Sequence, residues 1–86
     1  MDQKCHHLAA GKVVVQLSGN RGCRGVQIEP ALCEEPIIVL QAESLDVKRT
    51  AVEIISNNTF LIKVMADPKT RLKTATIHWQ AIAKTH

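Results

Sequence analysis

"ATIHWQAIAK", residues 75–84, alternates apolar and polar side chains and sets the chain's single tryptophan inside the alternation. A period of two is the pattern of a strand with one buried face. Ile77, Trp79, Ala81 and Ala83 then share one side, and Thr76, His78, Gln80, Ile82 and Lys84 the other. The first row reads as core. Trp79, pointing inward beside Ile77, is its largest wedge, and the run as a whole reads as the closing strand of a β protein.

Working back from this strand, the same period recurs, with almost no helical signal. "KVVVQL" (12–17), "VQIE" (26–29), "IIVLQA" (37–42), "TAVEIIS" (50–56), "TFLIKVMA" (59–66) and "LKTATIHWQAIA" (72–83) are the strand candidates. Turn chemistry separates them. "SGNRGCRG" (18–25) brings three glycines and Asn20, which suits a loop with positive φ. "PALCEEP" (30–36) is bracketed by prolines and reads as a connection with room for one helical turn. Asn57-Asn58 suits a hairpin, because Asn accepts left-handed dihedrals, and "DPKT" (67–70) carries Pro68 at the second position of a turn. Six short, evenly spaced strands predict an all-β, antiparallel six-stranded β-sandwich over residues 12–86, with residues 1–11 as a mobile N-terminal tail.

A chain of 86 residues allows one domain with a marginal core. Disulfides, metals or oligomerisation are the usual supplements at this size. The three cysteines, Cys5, Cys23 and Cys33, are an odd set that leaves at least one over, which weakens a secreted, disulfide-stapled reading. No apolar run approaches the ~18 residues of a membrane helix, and no basic-then-apolar leader opens the chain. The expectation is a soluble chain made in the cytoplasm, without membrane insertion.

The net charge of +3 hides an uneven distribution. Residues 29–53 carry Glu29, Glu34, Glu35, Glu43, Asp46 and Glu53 against two basic residues, whereas residues 60–86 carry five basic residues against Asp67 alone. Opposite patches suit self-association. Aromatics make up only 2% of the chain, which argues against a nucleic-acid surface, where stacking rings would be interleaved with basic residues. Several strands are also apolar on both sides. Phe60, Ile62 and Val64 oppose Leu61 and Met65, Ile37 and Val39 oppose Ile38 and Leu40, and Ile82 opposes the Trp79 row. An antiparallel sheet wet on its outside needs only one apolar face, so the second predicts a subunit interface.

These residues also carry a resemblance. "TFLIKVMADPKTRLKTATIHWQAIA" (59–83), preceded by "EPIIVLQAESLDV" (35–47), resembles the H-type lectins, the snail agglutinin-like sandwiches that assemble as trimers. The matching elements are Pro36, the Leu45-Asp46 step, Arg49, Phe60, Asp67-Pro68 and the closing Trp79-Gln80-Ala81-Ile82. The same closing strand is similar to that of small phage tail and fibre proteins. The resemblance implies a homotrimer that binds surface glycans or a receptor, and association with a virion. It places Arg49 where the family's sugar-binding arginine stands, and adds Asp46, Asp67 and Lys73 as candidate ligand-binding residues. The turn "ADPKTRLK" (66–73) has no aromatic residue, so the implied contacts are hydrogen bonds without a stacking platform.

Other chemistry is thin. Cys5, His6, His7, Cys23 and Cys33 are of the right types for zinc, but no C-x-x-C pair is present and the histidines are adjacent, so no metal and no cofactor are expected. His78 opposes Trp79 and reads as a surface or interface residue, and no spacing predicts a catalytic triad. "GNRGCRG" lacks the lysine and the following helix of a phosphate loop. Asn57-Asn58-Thr59 matches the glycosylation pattern, which matters only in a secretory compartment. The sequence thus points to a non-enzymatic chain: an oligomeric recognition module, or a purely structural virion or assembly protein with no small-molecule site.

Overall fold

The computed structural model describes residues 7–29, 32–56 and 58–84. Six strands dominate: β1 (Leu8–Ser18), β2 (Arg21–Gln27), β3 (Pro36–Ala42), β4 (Val47–Ser56), β5 (Thr59–Ala66) and β6 (Thr74–Ala83). All pair antiparallel, in the order β3-β6-β1-β2-β5-β4. β3 and β4, the two ends of that order, come side by side over a short stretch, so the single sheet is nearly closed. The all-β expectation holds, with a strand at each of the six candidate segments.

β1 serves two partners in succession. Its residues Leu8–Gln16 pair with β6, and only Leu17 and Ser18 pair with β2. The sheet turns at that point and brings the inner sides of β5 and β6 face to face. Phe60 and Trp79 meet there edge to face, their ring centroids 5.4 Å apart and their planes at 73°, a favoured geometry for aromatic pairs. Around them Val15, Val26, Ile28, Ile62, Val64 and Ile77 complete a dry interior. On β6 the alternation is realised as expected: Ile77, Trp79, Ala81 and Ala83 are buried, and His78, Gln80 and Ile82 are exposed. Gly11 stands opposite Trp79 in the register, and a Cβ there would lie 2.8 Å from Trp79 Cζ2, so the indole rests against bare backbone.

Two elements differ from expectation. β1 begins at Leu8, so residues 8–11, expected in the tail, are strand, and the paired segment reaches back before Lys12. Leu8-Ala9-Ala10-Gly11 lacks β-branched residues, but its small side chains are what Trp79 and Ala81 can pack beside. "SGNRGCRG" is mostly strand rather than loop: Gly19-Asn20 alone makes a two-residue turn and β2 starts at Arg21. Gly19 has φ 68° and Asn20 is not left-handed, the pattern of a type II′ hairpin. Gly22 is a strand glycine for another reason: a Cβ on it would fall 2.4 Å from the Gln16 carbonyl oxygen.

The β4–β5 turn includes Asn57, which lies outside the described residues, as do Cys5 and His6. No described residue other than glycine has positive φ. The ladder instead shifts register between Ile54 and Ser56, and the Ser56 hydroxyl donates to Asn58 Oδ1 at 2.7 Å. Leu32, ahead of β3, is buried in the core. Cys33, next to it in the chain, is disulfide-bonded, and Cys23 is a free, exposed thiol, as an odd count that leaves at least one cysteine over requires.

Candidate functional site

No polar or charged side chain is buried among the described residues, so chemistry belongs to the outer faces. The outer face of β3–β6–β1 is graded. At one end Ile37, Ile82 and Leu8 form a cross-strand row and are all exposed. The next rows are Val39-Gln80-Ala10 and Gln41-His78-Lys12. His78 is exposed as expected and places Nε2 2.6 Å from Glu43 Oε2. Beyond the apolar end, Lys84 Nζ donates to Glu35 Oε2 at 2.8 Å. That hydrogen bond, helped by the lysine's charge, holds the Glu35 carboxyl below the usual carboxylate range.

The outer face of β2–β5–β4 has a different character. The register sets Arg21, Met65 and Arg49 in one cross-strand row, and Cys23, Lys63 and Ala51 in the next. Together they line a shallow groove of about 550 Å³. Lys63 Nζ lies 3.3 Å from Glu53 Oε1. Neither Arg21 nor Arg49 has a side-chain hydrogen bond or ion pair among the described residues. Two cations on one row repel each other across the strand between them. The floor between them is the half-buried thioether of Met65.

The four residues singled out by resemblance are not gathered into one site. Arg49 lies on the groove, and also borders a second hollow of about 370 Å³ beside Leu40, Ser44 and Leu45. Asp46 and Asp67 do meet, but for structural reasons. The Asp67 amide donates to the Asp46 carbonyl at 2.7 Å and the Thr70 hydroxyl to Asp46 Oδ2 at 2.9 Å. The Lys69 amide donates to Asp67 Oδ1 at 2.8 Å, an Asx turn. Lys73 is exposed, and its carbonyl accepts the Leu17 amide at 2.9 Å. No hydrogen bond or ion pair joins Arg49 to these three among the described residues. Sequence reasoning missed Arg21, Lys63, Met65 and Cys23 as groove residues. The available signal was alternation carried through the glycines of 21–27, which places Arg21 and Cys23 on one face.

Among the described residues, no cluster of three or more His, Cys, Asp or Glu side chains could hold a metal ion. Cys33 Sγ lies 3.8 Å from His7 Nε2, and Cys23 sits apart on β2. No helix among the described residues is long and apolar enough to cross a membrane. Compared with models of known protein families and with curated proteins, the chain matches none.

Proposed function

We propose that this protein is a non-enzymatic recognition module, an oligomeric lectin-like unit that binds surface glycans or a receptor, as a component of a phage tail or fibre would. The observation that carries this reading is the open groove over β5 with Arg49 on its wall. It is concave, largely apolar at its floor and edged by a few charged groups, the usual composition of a small-ligand site. In this reading the halves β3–β6–β1 and β2–β5–β4 stack as the layers of a sandwich, which the Phe60–Trp79 contact supports. Three such subunits associate through the exposed row Ile37-Ile82-Leu8, and weak sites presented together gain avidity.

The second reading, a purely structural virion or assembly block, is favoured by that same apolar row. A glycan array probed with the purified protein separates the two. The expected result is retention on a restricted set of glycans, lost in Arg49→Ala. Retention on none, from a protein of trimeric mass in solution, overturns the recognition reading and favours the assembly block.

A further inference from the structure

Among the described residues, the basic side chains on the outer faces differ in what they meet. Lys63 and Lys84 each stand within 3.3 Å of a carboxylate oxygen. Arg21 and Arg49 have no such partner among the described residues, although they share one cross-strand row. Two strand spacings separate them, about 10 Å between backbones, near enough for both guanidinium forks to reach one group lying over Met65. We propose that this row is a clamp for an anion, a carboxylate or a sulfate ester carried on an acidic saccharide. This inference rests on the recognition reading above and names its ligand class.

The chemistry of the groove supports that assignment. An arginine fork matches the paired oxygens of a carboxylate or sulfate, and charge-assisted bonds of this kind are short and strong. Met65 and Ala51 give the anion's carrier an apolar surface to lie on. A bound anion also relieves the repulsion between the two arginines, so free energy that the empty face lacks is recovered on binding. A nucleic acid fits less well. Single strands are held by stacked rings along a basic track, whereas the rings of Phe60 and Trp79 are buried against each other and the groove is short.

Cys23 supplies an independent readout. It is free, exposed and part of the groove lining, so an occupant shields it from alkylation. The full chain is titrated with sialyllactose, a sulfated lactose, plain lactose and a short oligothymidylate, at low and moderate salt. Binding is read both by calorimetry and by the rate at which iodoacetamide modifies Cys23. The acidic sugars are expected to bind and to slow alkylation severalfold, more so at low salt, while plain lactose does neither. Arg21→Gln and Arg49→Gln are each expected to weaken binding about tenfold or more with an unchanged circular dichroism spectrum. Lysine at either position should restore part of the loss. Undiminished acidic-sugar binding in both glutamine variants overturns the clamp. So does equal binding of plain and acidic lactose, which leaves the recognition reading standing. Oligothymidylate that binds and shields Cys23 better than any sugar overturns it in favour of a nucleic-acid groove. Binding of no sugar here, together with an empty glycan array, removes both readings at once.

Discussion

Trp79 and Phe60 meet edge to face in the core, and each belongs to a strand hydrogen-bonded on both sides. Removing the indole leaves a large void between β5 and β6, which stiff neighbouring backbones cannot close. Trp79→Ala is therefore expected to lose about 3–5 kcal/mol of stability, a large share of the ~5–15 kcal/mol that holds a domain folded. A urea titration followed by circular dichroism measures this, and a loss below about 1 kcal/mol would show that the ring does not pack as described. This residue was legible in the sequence because alternation fixes a side chain's face without any knowledge of neighbours. Arg21 was not legible as a groove residue. Its importance depends on standing across Met65 from Arg49, which is a fact of register between strands far apart in sequence. The carboxylates of Asp46 and Asp67 show the converse. Residue type suggested a ligand, but a nearby threonine hydroxyl and a backbone amide already use them.

At the scale of elements, β2 shows where composition misleads. Three glycines within Gly19–Gly25 read as a loop, because glycine is weak in strands, yet only Gly19 has the positive φ that would justify it. Gly22 is excluded from carrying a side chain by β1 itself. Gly22→Ala sets a methyl 2.4 Å from a carbonyl oxygen that cannot swing aside, and 2.8 Å from Val15 Cγ1. The β1–β2 hairpin must part, at a cost of about 1–3 kcal/mol. Gly25→Ala in the same strand meets nothing nearer than Leu61 Cδ2 at 3.5 Å, an ordinary contact. It is expected to be neutral or up to about 1 kcal/mol stabilising, by narrowing the unfolded ensemble. Chemical denaturation of the two variants side by side checks the contrast, and equal effects would contradict the close approach. β5 and β6 were legible almost to the residue, since neither is interrupted by glycine or proline. The start of β1 was not, because Leu8–Gly11 has weak strand propensity and is held by its partner.

At the scale of the whole molecule, the two outer faces differ in character, one apolar at its end and the other carrying the Arg21-Met65-Arg49 row. The row Ile37-Ile82-Leu8 runs across three strands without a break, and flanking groups of both signs, Lys84 with Glu35, make the surface compatible with a copy of itself. Light scattering is expected to give a mass of several chains for the parent and of one chain for Ile82→Lys. The variant should keep its fold, because position 82 faces outward. A parent that is monomeric at every salt concentration would leave this face without its proposed occupant.

The strand order also decides which parts of the sheet can form before the others. β1 and β3 come first and third among the six strands, yet both hydrogen-bond mainly to β6, the last of the six in chain order. Until β6 is in place, β2, β4 and β5 can assemble among themselves while two other strands wait with their edges bare. The sheet can therefore close only once β6 is available, and shortening β6 would leave β1 and β3 without their main partner.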